Sequence, residues 1–97
     1  METLNYEYEA KSALTRRAHV GVVASGDLEV LIEPSNSPTT KVRVQTSVDG
    51  CARVWKAVLD RYFSRFECAA KVEINDFGAT PGTVTLRLEQ AAEEVQS

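Results

Sequence analysis

Between Thr3 and Glu9 apolar and polar positions alternate, with Leu4, Tyr6 and Tyr8 on one side and Asn5, Glu7 and Glu9 on the other. A period of two predicts a half-buried strand. "AKSALTRR" breaks that period and predicts a loop or a single turn. Two runs rich in Val, Leu and Ile follow, His19 to Ala24 and Leu28 to Glu33, separated by Ser25, Gly26 and Asp27. They predict a hairpin. Pro34 ends its second arm, because proline has no backbone donor for a ladder, and "SNSPTT" is a loop of turn-forming residues. Alternation returns from Lys41 to Ser47, where Val42, Val44 and Thr46 oppose Lys41, Arg43 and Gln45.

The period then changes to about 3.6. Cys51, Val54, Trp55, Val58, Leu59, Tyr62 and Phe66 share one face of a predicted helix. Ser47 or Asp49 is placed to cap its N-terminus, and Arg61 and Arg65 lie in its final turns, where the helix dipole favours positive charge. Lys71 to Asn75 alternates again, with Ala70, Val72 and Ile74 inward; "DFGATPGT" is a Gly- and Pro-rich reversal. Thr83 to Glu89 puts Val84, Leu86 and Leu88 on one side of a predicted final strand, and the acidic tail "QAAEEVQS" is expected to fray. The order predicts one domain over residues 1–97: a two-layer α+β fold, a mostly antiparallel sheet of about five or six strands covered by one main helix. If the strands flanking that helix are parallel, their crossover is right-handed.

Composition narrows the function classes. The chain has 97 residues, 43% hydrophobic and 26% charged, which is ordinary globular usage. A net charge of -3 supplies no overall field for gathering nucleic acid. "METLNYEYEA" lacks the basic start and apolar run of a signal peptide, and no window reaches the roughly 18 apolar residues of a spanning helix. The expectation is a cytoplasmic chain without a membrane span, whose Cys51 and Cys68 are free, packed thiols rather than metal ligands.

Candidate chemistry is sparse. His19 is the one histidine, so there is no His-pair metal site, and it reads as a surface or edge-strand residue. Asp27, Glu29 and Glu33 alternate along one arm, the pattern of a solvated strand face. "GATPG" reads as a turn between two strands, with no helix behind it to cradle a phosphate. Arg53, Lys56, Asp60, Arg61 and Ser64 form the polar side of the helix, a solvated face or a docking stripe for a larger partner. In "ASGDL", Gly26 and Asp27 fit the centre of a two-residue type II′ turn, which leaves Ser25 at the last strand position with its hydroxyl at the tip. No base stands beside Ser25 in the sequence to make it a nucleophile. An exposed hydroxyl next to a glycine is nonetheless open to a modifying enzyme.

Three stretches, "VGVVASGDLEVLIEP", "VQTSVDG" and "EINDFGATPGTVTLRLEQA", closely resemble the delta-subunit family of bacterial malonate decarboxylases, a family of dedicated acyl carriers. A looser similarity runs to the acyl carrier subunit of citrate lyase. The resemblance implies a non-catalytic subunit whose Ser25 carries 2′-(5″-phosphoribosyl)-3′-dephospho-coenzyme A through a phosphodiester, with Gly26 and Asp27 forming the attachment turn. It implies an acetyl thioester on that arm, exchanged for malonyl and then decarboxylated to acetate and CO2 overall. The implied partners are an alpha acyl transferase, beta and gamma decarboxylase subunits, a malonyl transferase and a phosphoribosyl-dephospho-coenzyme A transferase. Such a carrier needs neither its own base nor a pocket, because the cofactor supplies thiol and reach. Ordinary carriers are helical bundles with an Asp-Ser-Leu motif, which this chain lacks. Without the resemblance, the residues fit a small non-enzymatic interaction or regulatory module with no prosthetic group. A hydrolase built on Ser25 fails for want of a paired base.

Overall fold

A computed structural model describes residues 1–96. The chain runs β1 (Glu2–Glu9), β2 (Ser12–Ala13), β3 (Ala18–Gly21), β4 (Leu28–Pro34), β5 (Thr39–Thr46), α1 (Ala52–Phe63), β6 (Cys68–Asp76) and α2 (Pro81–Gln96). Five strands lie in the order β1-β5-β6-β4-β3, and the two-residue β2, within the stretch read as a loop, pairs with the start of β6. β5 and β6 are parallel, so α1 makes the crossover that a parallel pair requires; the other neighbours along the path are antiparallel. The fold class is the expected two-layer α+β arrangement, but two helices cover the sheet.

Alternation sets the layers. Leu28, Val30 and Ile32 of β4, Val42 and Val44 of β5 and Val72 and Ile74 of β6 are buried against Trp55, Leu59 and Phe63 of α1 and Val84, Leu88, Ala91 and Val95 of α2. The opposite face is polar, with Arg43 of β5 and Glu73 of β6 paired across the strands. α1 begins after Cys51 without a side-chain cap, contrary to the Ser47 or Asp49 expectation. Asp49 instead meets the N-terminal amine at 3.6 Å, and the Ser47 N–H donates to the carbonyl of Asp76.

The segment read as a last strand and a frayed tail is α2, one 16-residue helix; Ser97 of that tail lies outside the described residues. Val84, Leu86 and Leu88 satisfy a period of two, but Val84, Leu88, Ala91 and Val95 satisfy 3.6 over twice the length. Thr80 Oγ1 accepts the Thr83 N–H at 3.2 Å as an N-cap, and Pro81 sits at the first helical position, where its missing donor costs nothing. Leu86 is accordingly 51% exposed while Leu88 is 1% exposed. Leu88→Ala is expected to cost about 2–5 kcal/mol, as for other buried leucines, and Leu86→Ala to stay within about 0.5 kcal/mol. Urea unfolding of both variants checks this, and equal losses would restore the strand.

The pairing register brings particular segments to one end. Glu2 is opposite Thr46, Thr46 is beside Asp76, and Asp76 is opposite Leu28. The N-terminus, the Val22–Asp27 loop, the entry to α1 and the entry to α2 therefore share one end of the sheet. Asp76, 4% exposed, locks that end: its carboxylate accepts from Thr46 Oγ1 at 2.7 Å and from the Ala79 N–H at 2.9 Å.

Candidate functional site

The hairpin forms as read, with Val20 opposite Val30 and Gly21 opposite Glu29, but its turn is longer. β3 stops at Gly21 and β4 starts at Leu28, so residues 22–27 form a six-residue loop instead of a two-residue type II′ turn. Gly21 is the cause. Its φ is +81°, and a Cβ there would lie 2.0 Å from the Leu28 carbonyl oxygen, so only glycine lets the chain leave the ladder at this point. At the tip the Asp27 N–H donates to the Ala24 carbonyl at 3.1 Å, and Gly26 has φ +79°. Ser25 and Gly26, not Gly26 and Asp27, are thus the central pair, and the positive φ at the second of them makes the turn type II.

The loop is clamped from two sides. Backbone bonds join Gly26 N–H to the Phe77 carbonyl at 2.7 Å and Phe77 N–H to the Asp27 carbonyl at 2.9 Å. These continue the antiparallel β4–β6 pairing past Leu28 and Asp76. The Asp27 carboxylate accepts from Arg87 Nε at 3.1 Å and from a terminal guanidinium nitrogen at 2.8 Å, a bidentate pair, and from the Leu28 N–H at 2.7 Å. Arg87 was not singled out in the sequence, because the stretch holding it read as a strand. A helix register over "TLRLEQ" would have marked it.

The three candidate residues therefore have different surroundings. The Ser25 side chain is exposed at the tip. Gly26 has no heavy atom within 4 Å of where a Cβ would stand, so the space beside Ser25 is open. Asp27, only 19% exposed, turns away from the tip toward α2 and fastens the loop. The Arg87 guanidinium, with help from the Leu28 N–H, holds the Asp27 carboxyl below its usual range. A depressed carboxyl pKa adds stability above the unfolded value of about 3.9 and loses it as pH falls through the folded value. The stability gap between the parent chain and Asp27→Asn is therefore expected to be full at pH 7 and to close below about pH 4. Thermal unfolding at both pH values reads it; a gap independent of pH would remove the ion pair as its source.

Elsewhere the chemistry is quiet. His19 lies exposed on the edge strand, its Nε2 2.8 Å from Glu29 Oε2, and Glu29 also accepts from Asn75 at 2.9 Å. The Asp27, Glu29 and Glu33 arm is thus less solvated than its spacing suggested, since two of the three are engaged. Cys51 and Cys68 are half-buried free thiols. "GATPG" does have a helix behind it, contrary to expectation. Arg53, Lys56, Asp60 and Arg61 are exposed on α1 and Ser64 at its C-cap, and Asp60 accepts from Tyr8 at 2.8 Å and pairs with Lys56 at 3.0 Å. A groove of about 510 Å³ runs between the C-terminal halves of the helices, over Tyr62, Phe66, Leu88 and Ala92, away from the Ser25 turn. Among the described residues no group of three or more His, Cys, Asp or Glu could hold a metal ion, and no helix is long and apolar enough to cross a membrane.

The family model described as malonate decarboxylase delta subunit (MdcD) matches residues 15–95, which contain the whole clamped loop, α1 and all but the last residue of α2. The chain belongs to this family. Malonate decarboxylase acyl carrier proteins of Azotobacter vinelandii and Pseudomonas fluorescens are 51% and 49% identical to it. The first comparison covers 100% of this chain and 99% of the relative, the second 98% and 97%. A chain in the crystal structure of a Pseudomonas malonate decarboxylase hetero-tetramer in complex with malonate superposes with a TM-score of 0.92 at 49% identity, over 98% of this chain and 99% of that one. Delta-family membership and the sheet-based fold together separate this chain from the helical carriers.

Proposed function

We propose that this chain is the acyl carrier subunit of a malonate decarboxylase, and that Ser25 is the residue bearing its prosthetic arm. One observation carries the choice of residue: Ser25 is exposed at the tip of a turn that Phe77 and Arg87 hold still, beside an open space at Gly26. An attachment point needs a fixed position for repeated use and room for a large substituent, and this turn offers both.

The group favoured is 2′-(5″-phosphoribosyl)-3′-dephospho-coenzyme A, joined to Ser25 Oγ by a phosphodiester. It supplies the thiol on which acetyl and malonyl are held as thioesters. The protein's own residues have positional roles: Gly26 leaves the hydroxyl accessible, while Asp27 and Arg87 fix the turn from the α2 side. The chain itself is non-catalytic and cytoplasmic in this reading. Its partners are the alpha transferase, the beta and gamma decarboxylase subunits, the malonyl transferase and the transferase that installs the arm. Tethering the acyl group raises its effective concentration at each active site to about the millimolar range for a short flexible link. The carrier role displaces the unmodified interaction module suggested by the residues alone.

Intact-protein mass after co-expression with the arm-installing transferase tests this. The parent chain gains the mass of the phosphoribosyl-dephospho-coenzyme A group and Ser25→Ala does not. A gain that persists in the variant moves the attachment elsewhere. No gain, with a transferase that modifies another delta-family carrier, removes the arm from this chain.

A further inference from the structure

We infer that the groove between α1 and α2 is the docking site by which the arm-installing transferase selects this carrier, and that its occupant is a helix of that enzyme, acidic along one flank and basic along the other. Val58, Tyr62 and Ala92, each half-buried, lie along the floor with the buried Phe66 and Leu88, and Tyr62 stacks on Phe66 with ring centroids 5.5 Å apart. The walls carry opposite charges. Arg61 and Arg65 stand four residues apart at the end of α1, Glu89 and Glu93 stand one turn apart on α2, and all four are exposed. None of the four makes an ion pair with a described residue, so the two walls do not meet across the groove. Lys56 and Asp60, from the same polar side of α1, are by contrast paired with each other, and Asp60 also holds Tyr8 of β1. That side is therefore closed toward β1 and open over the groove.

Shape and charge together specify the occupant. A concave groove of about 510 Å³ cannot be filled by the same groove of a second copy, whereas a helix lays one ridge of side chains into it. Apolar positions at i, i+3, i+4 and i+7 of such a helix reach the floor, while its acidic flank meets Arg61 and Arg65 and its basic flank meets Glu89 and Glu93. Turned end for end, the helix would set like charges against each other, so one direction fits. What each partner has to recognise decides between them. The acyl-handling subunits receive a carrier that already bears a long nucleotide arm, and they can bind it by that arm. The transferase meets the bare chain, and Ser and Gly at an exposed turn are what turns in general select. A second surface, away from the Ser25 turn, gives it selectivity and leaves the hydroxyl open.

This inference rests on the reading of Ser25 as the attachment residue, and its test separates the two. Arm transfer to the unmodified chain by the purified transferase is followed by intact mass against carrier concentration. Two groove variants, Arg61→Gln with Arg65→Gln and Glu89→Gln with Glu93→Gln, are compared with Lys41→Gln with Lys71→Gln, neighbours on the sheet face away from the helices. Circular dichroism checks that all are folded. Each groove pair is expected to raise the apparent KM for carrier roughly fivefold, as the loss of two exposed ion pairs would, and the sheet pair to leave it unchanged. The two groove pairs remove charges of opposite sign, so a general attraction would slow one and speed the other, and that result overturns the docking site. Unchanged KM in both also overturns it while leaving Ser25 as the attachment residue. A benzophenone side chain at Ala57, on the rim, is expected to crosslink transferase residues three or four apart in sequence; crosslinks to a loop or strand overturn the helix. Once fully modified, both groove variants are expected to support malonate decarboxylation with the parent's KM for carrier. A raised KM there, with normal arm transfer, makes a catalytic subunit the occupant instead. No mass gain in the parent chain, with a transferase that modifies another delta-family carrier, overturns the attachment reading.

Discussion

Ser25→Ala is expected to reduce malonate decarboxylation by the reconstituted complex to background while leaving the carrier folded. Loss of one hydroxyl removes the attachment point, and with it the thiol and the tether, so no concentration of the variant restores turnover. Stability is expected to change by less than about 0.5 kcal/mol, because the side chain is exposed and the second position of a type II turn accepts alanine. The parent chain lacking its arm has the same catalytic defect, and incubation with the transferase rescues it but not the variant. That contrast separates a missing attachment from a damaged surface. Turnover by Ser25→Ala at a substantial fraction of the parent rate would overturn the assignment of the residue.

The sheet was legible because it is one-sided. β5 and β6 bury every second residue, and β1 half-buries its own, while the residues between them are more exposed, so Leu4, Tyr6 and Tyr8, or Val42, Val44 and Thr46, declare their face. α1 declared itself in the same way by its change of period. α2 did not, because Leu86 is an exposed apolar residue that completes an accidental alternation with Val84 and Leu88. Only Thr80, Pro81, Ala91 and Val95, read together, break the tie. The order of the strands follows from which edges meet, and residue spacing carries no record of that.

The site was legible in part for a related reason. Ser25 stands out as a tip residue between two strand-like runs, which is a local property. What holds the tip is not local: Phe77 and Arg87 lie more than fifty residues away, on elements whose placement depends on the strand order and on α2. Val22 and Val23 misled in the opposite direction. Their β-branched side chains extend the strand pattern, so the run His19 to Ala24 reads as one strand although β3 ends at Gly21. Both side chains are instead exposed, at 56% and 59%, in the loop that follows.

Gly21→Ala is expected to be the most destabilising single change in the loop, costing about 3 kcal/mol or more. Two terms combine. An alanine held at a left-handed φ loses roughly 1–2 kcal/mol. The added methyl would also stand 2.0 Å from the Leu28 carbonyl oxygen, a backbone atom at the start of β4, so the β3–β4 ladder itself must open to admit it. For a domain of about 100 residues that corresponds to a fall in Tm of roughly 10–20 °C. Gly26→Ala supplies the internal comparison, since Gly26 has almost the same φ, +79° against +81°, but open space where its Cβ would go. It carries the conformational cost alone, roughly 1–2 kcal/mol, and its Tm is expected to fall by at most about two thirds as much. Thermal unfolding of the two variants side by side measures the difference. Equal losses would mean that the loop can shift off Leu28 at no cost, and the position of Ser25 would then depend on Phe77 and Arg87 without help from the hairpin.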